Sequence, residues 1–163
     1  MYMKQSDLLK GLSKDFRKQL MEAAEEETHK AGYLLYKEGD RAAHIYILLE
    51  GRVSITIGDR AHTVYTVDNP GEIFGWSSLV GRKGYSASVG CKEPTKLLKI
   101  SVKKLDALFE KDRASEIIFF RQLAAGLGAR LIQSYKMISD KAQADTSLSY
   151  GTGQVQESTI TVS

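Results

Sequence analysis

The spacing of apolar residues along this chain changes its period twice. From Ser13 onward, Phe16, Leu20 and Ala23 or Ala24 recur at i, i+4 and i+7 or i+8, which predicts a helix with one buried face and Ser13 as its cap. SDLLKGL, just before it, reads as a separate helical turn ended by Gly11. The run Glu25-Glu26-Glu27 would oppose the dipole at a helix C-terminus, so it marks the exit into a strand with its charge on a solvated face. Between Thr28 and Ile100 the apolar runs become short, rich in Ile, Val, Leu, Tyr and Thr, and separated by turn residues at Gly32, Gly39-Asp40, Gly51, Gly58-Asp59, Pro70-Gly71, Gly81 to Gly84 and Pro94. Such spacing predicts an antiparallel β-sandwich or jelly roll. Val53 to Ile57 alternates strictly and should pair as a hairpin with His62 to Val67 through Gly58-Asp59-Arg60. Ile45 to Leu49 is continuously apolar, as suits a strand covered on both faces.

After Ile100 the helical period returns. Ser101 is placed to cap a helix Val102 to Lys111 with Leu105, Leu108 and Phe109 inward, and a longer pattern runs from Ser115 to about Ile138. Ile117, Phe120, Ala124, Leu127, Leu131 and Ile138 form its main stripe, with Leu123 and Ser134 beside it. Ile118, Phe119, Ile132 and Tyr135 widen the apolar arc beyond what one domain surface needs, so a second surface must cover the surplus. Gly126 and Gly128 weaken this helix by roughly 1 kcal/mol each relative to alanine, which suits a close approach there. Residues 139–163 lose the pattern and read as a polar, mobile tail.

A chain of 163 residues is enough for one domain that buries roughly two thirds of its unfolded surface. Its 42% hydrophobic and 26% charged residues are those of an ordinary globular protein, and no apolar run approaches the roughly 20 residues of a membrane span. Met1 to Lys10 has no signal-peptide core, which makes the cytoplasm the expected location. The net charge of +3 is too small and dispersed to point to nucleic acid. Cys91 has no disulfide partner, and no Cys/His spacing suggests zinc. His29, His44 and His62 fall on separate segments with no His-x-His pattern, and no Gly-x-Ser-x-Gly elbow exists, so neither metal-dependent nor serine catalysis is expected.

The stretch with most chemistry is Pro70 to Val89, PGEIFGWSSLVGRKGYSASV. Its small residues have little to bury and suit a loop whose amides and hydroxyls converge on a small anion. A short helix starting at Gly75 or Trp76 would turn the N–H groups of Trp76, Ser77 and Ser78 outward, and Ser86, Ala87 and Ser88 would add donors.

Together with KEGDRAAHIYILLEGRVSI from Lys37 to Ile55, this stretch makes Leu8 to Ile138 resemble a cyclic-nucleotide-binding domain. The likeness is to the catabolite activator protein family and to cyclic-nucleotide-regulated kinases and channels. PGEIFGWSSLV stands where that family carries its phosphate-binding cassette. The resemblance implies a ligand site at Phe74, Gly75, Trp76, Ser77, Ser78, Tyr85, Ser86 and Ala87. It also marks two departures: Trp76 stands where the family has the glutamate that holds the ribose hydroxyl, and Tyr85 where it has the arginine that pairs with the cyclic phosphate. Arg82 is the candidate replacement cation. The ligand expected is a cyclic nucleotide or another small anion, with weak affinity for cyclic AMP and cyclic GMP.

The resemblance further implies a homodimer through the Ile117 to Ile138 helix, and a domain over residues 1–138 that includes this dimerisation helix from about residue 115. Transcription factors of the family carry a helix-turn-helix domain after the long helix. Residues 139–163 offer neither its length nor its pattern, so direct DNA binding is not expected. Three readings follow: a small-molecule sensor, a dimerisation module with a vestigial pocket, and a truncated transcription regulator.

Overall fold

The structure is a computed structural model that describes residues 9–60 and 62–151. Helix α1 (Lys14–Ala23) is capped as its sequence requires: the Ser13 hydroxyl accepts from the Phe16 amide at 3.1 Å, and Phe16 and Leu20 are the buried residues of the inner face. The chain then turns extended at Ala24 and enters β1 (Glu25–His29). The acidic run is not simply solvated. Its partner strand β8 (Thr95–Ser101) sets Lys96 2.8 Å from Glu26 and Lys99 3.3 Å from Glu27, and Lys104 lies 3.8 Å from Glu25.

Between these strands lie β2 (Leu34–Tyr36), β3 (His44–Glu50), β4 (Val53–Ile57), β5 (His62–Val67), β6 (Ile73–Phe74), a 3-10 helix (Trp76–Val80) and β7 (Ser88–Cys91). They form two four-stranded antiparallel sheets, β1-β8-β3-β6 and β2-β7-β4-β5, so the expected sandwich is the fold. The predicted hairpin is β4–β5, closing with Ile57 opposite His62. The continuously apolar β3 is covered on both sides. Tyr46 and Leu48 enter the core between the sheets with Tyr36, Val53, Val67, Phe74, Tyr85, Val89 and Leu97, while Ile45 and Ile47, opposite by alternation, are fully buried as well.

Helix α2 (Val102–Lys111) has the predicted bounds and packs along β8, but Ser101 makes no side-chain cap; the Val102 amide instead donates to the Ala43 carbonyl at 3.0 Å. Phe109 reaches from α2 to Phe16 of α1, with ring centroids 5.6 Å apart. Helix α3 (Arg113–Gly151) begins after Asp112, whose carboxylate accepts from the Ser115 amide at 2.9 Å, the Ser115 hydroxyl at 2.7 Å and the Ser13 hydroxyl at 2.8 Å. These three bonds hold the Asp112 carboxyl below its ordinary range.

The face of α3 that is buried differs from the expected one. Ser115, Phe119 and Leu123, at i, i+4 and i+8, are buried, whereas Ile117 is 54% exposed. A helix apolar around most of its circumference carries no phase in its own pattern. The partner decides, and here it is Phe109, which meets Phe119 edge-on at 5.2 Å. The chain divides after Leu123 into two units. In the second, α3 leaves Leu131, Ile132, Tyr135, Met137 and Ile138 exposed. An alanine Cβ at Gly126 or Gly128 would meet nothing within 4 Å, so no close approach among the described residues requires these glycines. The helix continues to Gly151, well past the end of the apolar stripe at Ile138, because Asp140 to Asp145 contains no breaker and includes Lys141, Ala142, Gln143 and Ala144. The rest of the polar tail lies outside the described residues.

Two turns differ in a way that stability measurements can read. Gly51 (φ +97°) and Gly58 (φ +76°) are both left-handed, but a Cβ on Gly51 would lie 2.5 Å from the Pro94 carbonyl oxygen and 2.8 Å from Thr95 Cα, while one on Gly58 would touch nothing within 4 Å. Gly58→Ala should cost about 1–2 kcal/mol in urea unfolding, the left-handed penalty alone. Gly51→Ala should cost clearly more, because backbone must move. Equal losses would show that the Gly51–Pro94 approach imposes nothing.

Candidate functional site

Strand β6 ends at the buried Phe74, and Gly75 then turns the chain with φ +78°. Only glycine fits: a Cβ there would lie 3.0 Å from Tyr46 Cδ2 and 3.2 Å from the His44 carbonyl oxygen. The 3-10 helix follows, closed by Gly81 at φ +74°. It starts at Trp76, as expected, but it spans five residues and contributes little dipole. Ser78 is engaged through both its amide and its hydroxyl. The Ser78 amide makes a long bond of 3.5 Å to the Gly75 carbonyl, and the Ser78 hydroxyl lies 2.9 Å from the same oxygen and 3.2 Å from the His44 carbonyl.

The two arms of the cassette are stitched together. The Ser77 and Ser86 hydroxyls are 3.2 Å apart, the Ser86 amide donates to Ser77 Oγ at 3.4 Å, and the Arg82 amide donates to the Ser77 carbonyl at 3.2 Å. Ser88 Oγ accepts from the Glu38 amide at 2.8 Å. The serines expected to face outward as donors therefore satisfy one another and the nearby backbone, as half-buried hydroxyls must.

Tyr85 is the decisive side chain. It is buried, its hydroxyl donates to the His44 carbonyl at 2.7 Å and accepts from the His44 amide at 3.2 Å, and its ring stacks on Tyr36 with centroids 3.7 Å apart. Tyr36 continues to Tyr46 at 5.6 Å and Tyr46 to Phe74 at 5.3 Å, so four aromatic rings fill the sandwich interior beside the cassette. Burial raises the Tyr85 pKa, partly offset by its bond to the His44 main chain. Burial first, and then the neighbouring Tyr85, raises the Tyr46 pKa.

Of the residues singled out in the sequence, the structure brings together Phe74, Gly75, Ser77, Ser78, Tyr85 and Ser86, with Ala87 buried at the foot of β7. Trp76 is half-buried and Arg82 exposed. Sequence reasoning missed Tyr36, Tyr46 and above all His44. The position of Tyr46 on the same face of β3 as Leu48 was a usable signal; His44 acts here through its main chain and left none. Burial lowers the His44 pKa and raises that of Cys91. No group of three or more His, Cys, Asp or Glu able to hold a metal occurs among the described residues, and no described helix is long and apolar enough to cross a membrane.

Comparison with known proteins agrees with this geometry. The family model for the cyclic nucleotide-binding domain matches residues 26–112. Among solved structures, a protein of Geobacter metallireducens GS-15 described as cyclic nucleotide-binding is 29% identical, with a TM-score of 0.68 over 76% of this chain and 91% of that one. The catabolite activator protein of Thermus thermophilus is 24% identical with a TM-score of 0.66, over 84% of this chain but 63% of its own length. A cyclic-di-GMP-responsive global regulator of Xanthomonas campestris is 18% identical with a TM-score of 0.69, over 80% of this chain and 65% of that one. The last two show likeness of fold alone. No curated protein matches the chain.

The raised pKa of Tyr46 makes an alkaline prediction. A phenol whose folded pKa lies above the unfolded value contributes stability that is whole below about pH 10 and is lost as the pH climbs past it. Phenolate absorbance should show Tyr46 ionising only as the fold opens, and Tyr46→Phe should flatten the alkaline fall in stability. Ionisation of Tyr46 together with exposed tyrosines in the folded protein would contradict its burial.

Proposed function

The chain belongs to the cyclic nucleotide-binding domain family, and from that premise we propose that it is a small-molecule-sensing regulatory domain whose affinity for cyclic AMP and cyclic GMP is weak. The observation that carries this reading is the pair of hydrogen bonds between the Tyr85 hydroxyl and the His44 main chain. Where the resemblance sets a phosphate-pairing arginine, the protein has a neutral hydroxyl that is already engaged, and Trp76 offers no carboxylate for a ribose. A lost charge-assisted phosphate pair costs about 1.5–3 kcal/mol and a lost sugar hydrogen bond about 0.5–1.5 kcal/mol. Together they weaken binding roughly thirtyfold to two-thousandfold.

Calorimetry with millimolar cyclic AMP or cyclic GMP should show weak or no binding, and the double variant Trp76→Glu, Tyr85→Arg should bind more tightly. Micromolar binding by the unmodified protein, abolished in Arg82→Ala, would refute the proposal by showing that the loop cation replaces the missing arginine.

A second reading, a dimerisation module with a vestigial pocket, is favoured by the four stacked rings beside the cassette. Mass spectrometry of small molecules that co-purify with the protein separates the two. Both readings share a homodimer through Ile117 to Ile138, supported by the exposed Leu131, Ile132, Tyr135 and Ile138. Leu127→Glu with Leu131→Glu should turn a dimer into a monomer in sedimentation. An unmodified protein that is monomeric at micromolar concentration and above would remove the dimer from both readings.

A further inference from the structure

The segments 37–42 and 82–85 are sewn into one rigid rim. The Gly39 amide donates to the Tyr85 carbonyl at 2.9 Å, the Tyr85 amide to the Asp40 carbonyl at 2.9 Å and the Ala42 amide to the Lys83 carbonyl at 3.0 Å, with Arg41 paired to Gly84 in an antiparallel bridge. Gly84 is required by this closeness, since a Cβ there would lie 2.9 Å from the Gly39 carbonyl oxygen. The rim displays Lys37, Arg41, Arg82 and Lys83, all exposed.

None of these four cations is in an ion pair among the described residues, where the ion pairs involve Glu25, Glu26, Glu27 and Glu116. The two acids of the same rim are turned to backbone: Asp40 accepts from the Lys37 amide at 2.9 Å and Glu38 from the Gly58 amide at 3.1 Å. The cassette thus lacks a buried cation at Tyr85 yet carries four exposed cations without an ion pair among the described residues on its outer rim, two of them guanidinium groups suited to bidentate phosphate contact.

We propose that Arg41, Arg82 and Lys83 form a site for a soluble ligand carrying at least two phosphate groups, held from the rim rather than inside the sandwich. The proposal names a ligand class for the sensor reading and rests on it. One phosphate in water competes poorly for scattered exposed cations. Two or more linked phosphates engage several at once, so the second contact forms at high effective concentration.

Calorimetry at low salt with inorganic pyrophosphate, ATP and orthophosphate as probes tests this on the full chain. Pyrophosphate and ATP should bind, orthophosphate far more weakly, and the affinity should fall as salt is raised. The triple variant Arg41→Gln, Arg82→Gln, Lys83→Gln should lose about tenfold or more in affinity with its thermal unfolding unchanged. A control with the same charge loss on α2, Lys103→Gln, Lys104→Gln, Lys111→Gln, should bind like the unmodified protein.

No pyrophosphate or ATP binding at millimolar concentration would overturn the proposal. So would equal loss in the rim and control variants, which would reduce the effect to net charge, or orthophosphate binding as well as pyrophosphate. Binding only to vesicles of anionic phospholipid, with no binding of the soluble probes, would overturn it in favour of a lipid surface. These outcomes are independent of cyclic AMP affinity, so a failure here is distinguishable from a failure of the cassette reading.

Discussion

One carbonyl group, that of His44, holds both arms of the cassette. The Tyr85 hydroxyl donates to it from the strand arm at 2.7 Å, and the Ser78 hydroxyl lies 3.2 Å from it on the helical arm. Gly75, left-handed at φ +78°, would also press a Cβ against this oxygen at 3.2 Å. A site that relied on an arginine would need an anion to neutralise a buried charge. Here neutral hydrogen bonds close the arms without one, and the cassette keeps its shape by satisfying itself. On the proposed reading, the same neutral bonds stand where a charge would recognise a cyclic phosphate.

The sandwich was legible in the sequence because its strands alternate, its turns carry glycine at left-handed positions, and β3 is apolar on both faces. Helix α2 was legible to the residue. The phase of α3 was not, because Ile117, Phe119, Phe120 and Leu123 offer apolar side chains in several directions and the choice among them is made by Phe109, a residue of another helix. The length of α3 was underestimated for a related reason: the apolar stripe reports what a helix buries, and a polar helix without a breaker continues where the stripe has stopped.

The site was legible in outline through the run from Phe74 to Ala87. What could not be read was the direction of its hydroxyls. A serine in a small-residue loop can serve a ligand or its own backbone, and only the approach of Ser77 to Ser86 and of Ser78 to His44 decides it. The charges show a similar asymmetry. Glu26 and Glu27 look like an unpartnered acidic run until the β1–β8 register sets Lys96 and Lys99 beside them.

The proposed sensing role would need a rigid route out of the site, and His44 would supply its first step. In the β3–β8 register His44 stands opposite Ser101, the residue at which β8 ends and α2 begins. The carbonyl of the preceding residue, Ala43, receives the first amide of α2. A shift of the His44 peptide that accommodated a ligand would therefore act on α2 directly, with no loop in between. From α2 the contact continues through Phe109 to Phe16 and Phe119, and the Asp112 carboxylate binds the start of α3 to Ser13 of the α1 cap. Contact alone does not establish coupling, which needs an element with two arrangements. The most suitable element in this route is the Asp112 clasp, because its bonds are exposed or partly exposed side-chain contacts that can break without opening the core, whereas every other link is buried aromatic packing or main-chain pairing.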